Sequence, residues 1–366
     1  MAQPLKEMYT PAFLQGFGLQ VQEAYPVFDP ERFVASVMDE TWKELELKER
    51  IRKISTVLGA CLPPRYEDAL DILYTLESSC IGFAYLFFPD FVEVHGQAEE
   101  HWELSMQALE RFTVRSSAEF AVRCFLLRDP VRMMKQMTAW AEHPNEHVRR
   151  LASEGSRPRL PWGQALPMFK RDPAPVLKLL ELLKADPSLY VRKSVANNLN
   201  DIAKDHPELV LKTAARWQGD HPHTNWIIRH GSRTLIRKAL PEALKLFGYA
   251  DATQGGPLAI SASLSVVPHT VKIGDAIALL YELKVRDGEA VRIRVEYGID
   301  FIKANGKTSR KLFLLSDKTV PGGHKLEGAR RHSFANLTTR KHYPGEHRIV
   351  LLINGVETAQ TTMMLE

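Results

Sequence analysis

The chain has 366 residues, of which 45% are hydrophobic and 25% charged, a balance that suits two or three globular domains and excludes wholesale disorder, collagen-like repeats and a coiled-coil rod. No apolar stretch approaches the roughly 18 to 20 residues that span a bilayer, and the N-terminus is polar without an apolar signal segment, so neither secretion nor membrane insertion is expected. The net charge of +4 is unevenly divided: residues 1–109 hold 8 basic and 18 acidic residues, residues 110–250 hold 24 and 14, and residues 258–366 hold 16 and 11.

Up to about residue 250 apolar residues recur at spacings of three and four, and proline-containing breaks separate the segments, which predicts short consecutive helices. Asp29-Pro30 reads as a cap and first-turn proline before Glu31 to Asp39, and Pro63-Pro64 divides a Lys48 to Cys61 helix from a Tyr66 to Leu76 helix. Cys61, Cys80 and Cys124 lack C-x-x-C spacing, which argues against a disulfide framework or thiolate zinc site and for a reducing, cytoplasmic setting. From Asp129-Pro130 onward the breaks become quasi-regular. Val148-Arg149-Arg150, Val191-Arg192-Lys193 and Ile228-Arg229-His230 begin equivalent stretches 43 and 37 residues apart, near the roughly 40 to 47 residues of HEAT and armadillo units. A solenoid of such units is expected over residues 1–250, with an irregular helical bundle as the plainer alternative.

Residues 251–257, with Gly255-Gly256-Pro257, read as a linker. Beyond it seven short β runs are expected: Leu258 to Val266, Ile277 to Val285, Val291 to Tyr297, Lys311 to Leu315, His332 to Leu337, Arg348 to Ile353 and, after an Asn354-Gly355 turn, Val356 to Leu365. The fold class expected is therefore multidomain: an all-α helical-repeat solenoid followed over 258–366 by an all-β, immunoglobulin-like sandwich without its disulfide.

The basic middle of the chain hints at a polyanion partner, although each basic face taken alone reads equally well as solvated surface. In Val148 to Arg157 the apolar stripe is Val148, Leu151, Ala152 and Gly155, leaving Arg150, Ser153, Glu154 and Arg157 on another face. In the next unit Asn197, Asn200, Asp201 and Lys204 share the polar face; in the last, Trp226, His230, Arg233 and Arg237 line up at helical spacing. A helix over Ser116 to Leu127 would set Glu119 and Arg123 at i, i+4. Each pair read singly is an ordinary salt bridge. Read together, the stripes form a groove of cations suited to a phosphate backbone. Carboxylates in such a groove would repel DNA, and a reason for keeping them is the stabilisation of a developing cation. Trp162 adds an aromatic face beside Arg157 and Arg159.

Three strings carry a family resemblance: Glu-His-Val-Arg-Arg-Leu-Ala-Ser-Glu-Gly-Ser-Arg-Pro-Arg-Leu-Pro-Trp at 146–162, Tyr-Val-Arg-Lys-Ser-Val-Ala-Asn-Asn-Leu-Asn-Asp at 190–201 and Asn-Trp-Ile-Ile-Arg-His-Gly-Ser-Arg-Thr-Leu at 225–235. The chain resembles the AlkC branch of the HEAT-repeat DNA alkylation-repair glycosylases, relatives of AlkD, over most of its length, including the strand-rich end with His-Tyr-Pro-Gly-Glu-His at 342–347. The resemblance implies a monofunctional DNA N-glycosylase, monomeric and free of metal and cofactor. Its partner would be duplex DNA with cationic alkylated bases, chiefly 3-methyladenine with 3-methylcytosine besides, bound without a base-flipping pocket. It implies Glu154 and Asp201 as a facing catalytic pair, Glu119 in support, and Trp162 against the lesion nucleotide. The DNA-contacting set would be Arg123, Arg149, Arg150, Arg157, Arg159, Lys193, Asn197, Arg229, His230 and Arg233, with basic loops at Arg330-Arg331 or Arg340-Lys341 assisting. The competing expectation is a non-catalytic helical scaffold in which Glu154 and Asp201 are inter-repeat ties. A metal site at His221, His223 and His230 is disfavoured by the intervening Pro222 and the lack of a nearby carboxylate.

Overall fold

The computed structural model describes residues 4–252, 256–337 and 340–366. Among them, sixteen α-helices precede eight β-strands. They form two compact units, Met1–Val210 with Trp217–Gly231, and Leu211–Arg216 with Ser232–Glu366.

In the first unit the proline breaks act as helix starts for a physical reason. The Asp29 carboxylate accepts from Arg32 N at 3.0 Å ahead of the Pro30–Val37 helix, and Asp129 accepts from Arg132 N at 2.9 Å ahead of Pro130–Ala141. Each satisfies a backbone donor that the first turn cannot, while the proline sits where no donor is needed. Asn145 and Ser188 cap the Glu146–Gly155 and Leu189–Ile202 helices in the same way.

The repeat is visible in a shared arginine lock. Arg149 Nη1 donates to the carbonyls of His143 and Pro144 at 3.0 and 2.7 Å, and Arg192 Nη1 donates to those of Asp186 and Pro187 at 2.9 and 2.6 Å. Both close the turn that precedes their own helix. Arg149 also forms a two-bond ion pair with Asp186, 2.7 and 3.2 Å, tying one unit to the next. Val148, Leu151 and Ala152 are fully buried, as are Val191 and Val195. The Leu189–Ile202 helix packs between Glu146–Gly155 and Pro222–Gly231. Two expected helices are corrected. Helix formation after Ser116 is delayed to Val122–Arg128, because Ser117 Oγ bonds Glu119 both at its carboxylate (3.0 Å) and at its backbone N (3.4 Å), an alternative to the helical ladder. Glu119 therefore stands in a turn. The helix carrying Trp226 and His230 ends at Gly231, and Arg233–Arg237 is a separate helix, so the expected four-residue stripe is broken.

In the second unit β1 (Ala259–Val267), β3 (Ala276–Val285) and β6 (Lys325–Ser333) form one sheet in the order β1-β3-β6. The other, in the order β2-β8-β7-β4-β5, contains β2 (Thr270–Val271), β4 (Val291–Ile302), β5 (Thr308–Val320), β7 (Gly345–Ile353) and β8 (Val356–Leu365). Buried Ile277, Leu279, Ile299, Ile349 and Met363 fill one core, and Leu283, Val285, Ile293, Val295 and Leu351 the next. The Asn354-Gly355 turn has φ of 48° and 86°, the doubly left-handed hairpin geometry that this dipeptide favours, and Ile353 pairs Val356 across it. The expected His332 to Leu337 strand is corrected to β6, which starts at Lys325, so that Arg330 and Arg331 lie on a strand and not in a loop. β5 likewise extends well beyond Lys311 to Leu315. Both are edge strands, where charged side chains are tolerated and mask the β pattern.

The last two short helices, Arg233–Arg237 and Pro241–Leu246, belong to this second unit rather than to the helical repeat. Tyr249 Oη donates to Asp317 at 2.7 Å, Ala250 N to Arg292 O at 3.0 Å, and Asn354 Nδ2 to Ala250 O at 2.7 Å. Of the expected linker, residues 253–255 lie outside the described residues.

His332, 7% exposed, packs among Phe301, Phe313 and Phe334 with Nδ1 3.0 Å from the Tyr297 hydroxyl. Burial, followed by the nearby Arg340 charge, pushes its pKa from 6.5 down to about 4. Between those values the unfolded chain holds the proton and the folded one does not. Stability is thus complete above the unfolded value and falls as the pH drops through the window, by about 3 kcal/mol at its lower end. Calorimetric unfolding should show the second unit weakening from pH 7 to pH 4.5, and His332→Phe should lose most of that dependence.

Candidate active site

The carboxylates on the two central helices do not stand alone. They form part of a line of alternating charges that runs from the turn before Val122–Arg128 to the end of Leu189–Ile202. Glu119 accepts from Arg150 Nη1, and Arg150 Nη2 lies 3.6 Å from Glu154 Oε1. Glu154 Oε1 accepts from Arg157 Nη1 at 2.5 Å, and Arg157 Nε donates to Asp201 Oδ2 at 2.8 Å. Lys204 closes the line at 2.8 Å from Asp201 Oδ1. Glu154 and Asp201, on neighbouring helices, thus bond to one guanidinium between them.

The centre of the line is nearly dry. Glu154 is 5% exposed and Asp201 2%. Burial alone would lower the pKa of Arg150 and of Arg157. The flanking Glu119 and Glu154, and Glu154 and Asp201, outweigh it and raise both. These guanidiniums are therefore permanently charged. Ser194 Oγ donates to Glu154 Oε2 at 2.6 Å, so both oxygens of that carboxylate are held. Asn198 Nδ2 donates to Ser153 O at 2.8 Å, joining the two helices beneath the acids.

Arg123 is corrected from a DNA contact to an interior group. It is 1% exposed, and it donates to the carbonyls of Gln164 (Nε, 2.5 Å), Gly155 (Nη1, 2.9 Å) and Arg157 (Nη1, 3.0 Å). Burial first, and then the Arg157 charge, lower its pKa to about 10. Gly155 is required here: a Cβ would stand 2.5 Å from Val122 Cγ2. Arg149 and Arg157 are likewise consumed, the first by Asp186 and two carbonyls, the second by both acids. Arg150 serves Glu119 and Ser117 Oγ, and stacks its guanidinium 5.0 Å from the Tyr190 ring centroid. Arg159 forms a two-bond pair with Asp205, 3.1 and 2.6 Å, whose carboxyl it holds below the ordinary range. The basic stripe is thus largely an ion-pair scaffold.

Other expected residues stand nearer solvent. Trp162 is 62% exposed, with φ of 61°, a left-handed conformation unusual for a bulky residue. It is not packed between repeats. Lys193 is exposed; Asn197, Arg229, His230 and Arg233 are half-buried, and Trp226 stacks on His230 with centroids 4.9 Å apart and planes 7° apart. Arg233 belongs to the second unit. Ser194 and Tyr190 escaped the sequence reading. Ser194 lies seven residues before Asp201, two helical turns along the same face, a spacing that could have marked it.

The family model described as "DNA alkylation repair enzyme" matches residues 95–247, and the one described as "Uncharacterised protein YhaZ, C-terminal Ig-like domain" matches residues 261–366. The uncharacterized protein YhaZ of Bacillus subtilis (strain 168) is 46% identical over 353 residues, covering 96% of each chain. The structure of Pseudomonas fluorescens alkylpurine DNA glycosylase AlkC, bound to DNA containing an abasic site analog, matches with a TM-score of 0.93 and 38% identity over 100% of both chains. The helical segment thus matches the DNA alkylation repair enzymes, and the strand-rich end an Ig-like domain. Among those enzymes, the chain belongs to the AlkC-like family.

Removing the central cation tests the electrostatic account. Arg157→Met leaves two nearly dry carboxylates facing each other, which should destabilise the first unit by about 3 to 5 kcal/mol. Thermal unfolding should show the loss, and adding Glu154→Gln and Asp201→Asn to the same chain should recover much of it.

Proposed function

We propose that the protein is a monofunctional DNA N-glycosylase of base excision repair. It acts as a monomer on duplex DNA and excises cationic alkylated bases, 3-methyladenine foremost and 3-methylcytosine besides, without metal or cofactor. The observation that carries the reading is the placement of two nearly dry carboxylates, Glu154 and Asp201, on either side of one guanidinium. The likeness to an alkylpurine DNA glycosylase that binds abasic-site DNA supports it.

Alkylation at ring nitrogen gives the base a positive charge, so the base departs as a neutral molecule and needs no proton from the protein. What remains is to stabilise positive charge developing on the sugar and to orient a water for attack at the same carbon. Fixed, poorly hydrated carboxylate oxygens do the first well, because no dipole has to reorganise as the charge develops. A carboxylate that accepts the water's hydrogen bond does the second. Glu154 and Asp201 share these tasks, with Glu119 supporting through Arg150. The arginines offset the acids' repulsion of the phosphate backbone, which answers the objection to acids in a DNA groove.

Trp162 stacks against the lesion nucleotide, and Lys193, Asn197, Arg229 and His230 contact the backbone. Base extrusion is not required by this arrangement.

The amide variants Glu154→Gln and Asp201→Asn should each slow single-turnover release of 3-methyladenine by about 30- to 1000-fold, corresponding to roughly 2 to 4 kcal/mol of barrier. Duplex binding should persist, and uracil should not be released by any form. Equal rates for the wild type and the double amide variant would assign the acids to a non-catalytic scaffold.

A further inference from the structure

Trp162 holds a conformation that an aromatic side chain adopts only when its surroundings impose it, and two cations outside the acid line are placed to impose it. Arg123 grips the loop at both ends through the carbonyls of Gly155, Arg157 and Gln164. Lys48, on the distant Leu47–Cys61 helix, donates from Nζ to the Trp162 carbonyl at 3.0 Å. That bond fixes the peptide plane following Trp162 and so ties down the tip of the loop that carries the ring. The same ammonium lies 4.8 Å from the centroid of Phe120, next to Glu119 in the turn. Lys48 precedes the 95–247 segment that matches the alkylation-repair family model.

We propose that Lys48 and Arg123 are positioning residues: Arg123 anchors the ends of the 155–164 loop, and Lys48 clamps its tip, so that Trp162 is preset before DNA arrives. The inference rests on the reading that Trp162 meets the damaged nucleotide. A preset ring spares the ordering cost that a mobile loop would meet on binding. The clamp acts on lesion preference more than on general DNA affinity, because a single exposed cation adds little to backbone binding. Lys48 also couples the Trp162 loop to the Glu119 turn, giving the N-terminal helices a part in the site.

Lys48→Met keeps most of the aliphatic stem and removes the donor. Full-length wild type, Lys48→Met, Lys48→Arg and Trp162→Phe are compared by two readouts. One is the ratio of affinities for a duplex with a tetrahydrofuran abasic analogue and the same duplex undamaged. The other is amide hydrogen exchange across residues 160–166. Lys48→Met should lose about tenfold of the lesion preference and speed loop exchange by a similar factor, as expected for one charge-assisted bond. Its affinity for undamaged duplex should stay within about twofold and its thermal midpoint should be unchanged, with Lys48→Arg restoring part of the preference. Unchanged preference together with unchanged exchange in Lys48→Met would overturn the proposal. So would faster exchange with full preference, since the clamp would then serve no recognition. If the wild type itself shows no lesion preference, the reading of Trp162 fails, while the exchange data still decide whether Lys48 holds the loop. Arg123→Lys supplies an independent check. One ammonium cannot reproduce three carbonyl bonds, so exchange should rise at the loop ends as well as at the tip, and an unchanged pattern would count against the anchor.

Discussion

The site depends on one guanidinium. Arg157 sits between Glu154 and Asp201 with 8% of its surface exposed, bonded to one carboxylate by Nη1 and to the other by Nε. Two ionised acids cannot share a dry space without a cation between them, because their repulsion grows as solvent is removed. Arg157 bonds to both and holds them in place. Arg150 on one side and Lys204 on the other extend the pattern, so a locally neutral chain of charges replaces what would otherwise be a repulsive patch. The helical repeat brings these groups together: Glu154 and Asp201 lie on consecutive second helices of a unit, and the arginine locks at Arg149 and Arg192 set the start of each.

Such an arrangement separates two jobs that a DNA-binding surface usually merges. Cations that would ordinarily meet phosphates are used here to orient acids. Buried ion pairs of this kind contribute less to stability than to specifying one arrangement of charge. That is the property a preorganised site needs. The second unit shows a contrasting solution, with His332 kept neutral in an aromatic core and paired to Tyr297.

Much of the fold was legible because its signals are local. Asp-Pro and Asn-Gly pairs encode caps and a hairpin through backbone chemistry alone, and the structure places helix starts at Pro30 and Pro130 and a turn at Asn354-Gly355 accordingly. Periodicity also put Glu154 and Arg157 on one polar face of a helix, and 2.5 Å separates Glu154 Oε1 from Arg157 Nη1 there. It failed where side chains compete with the ladder, as at Ser117, and at the edge strands β5 and β6, whose charged residues face solvent. It could not tell an arginine bonded to carbonyls from one paired to an acid: Arg123 and Arg159 look alike among the basic residues, yet one is interior and bonded to carbonyls and the other is a half-buried partner of Asp205. Nor could helical spacing assign the Arg233–Arg237 helix to a core, since that depends on contacts with residues far along the chain. Lys48 was invisible for the same reason, being 114 residues from the carbonyl it holds.

The central claim is that Glu154 and Asp201 flank the sugar from which the base departs. Its most direct test is a crystal structure of this protein with a duplex containing an abasic-site analogue. The account predicts the carbon that carried the base in contact with the Glu154 and Asp201 carboxylates. An abasic sugar bound elsewhere on the protein, with both carboxylates still enclosed among their arginines and out of contact with DNA, would contradict it.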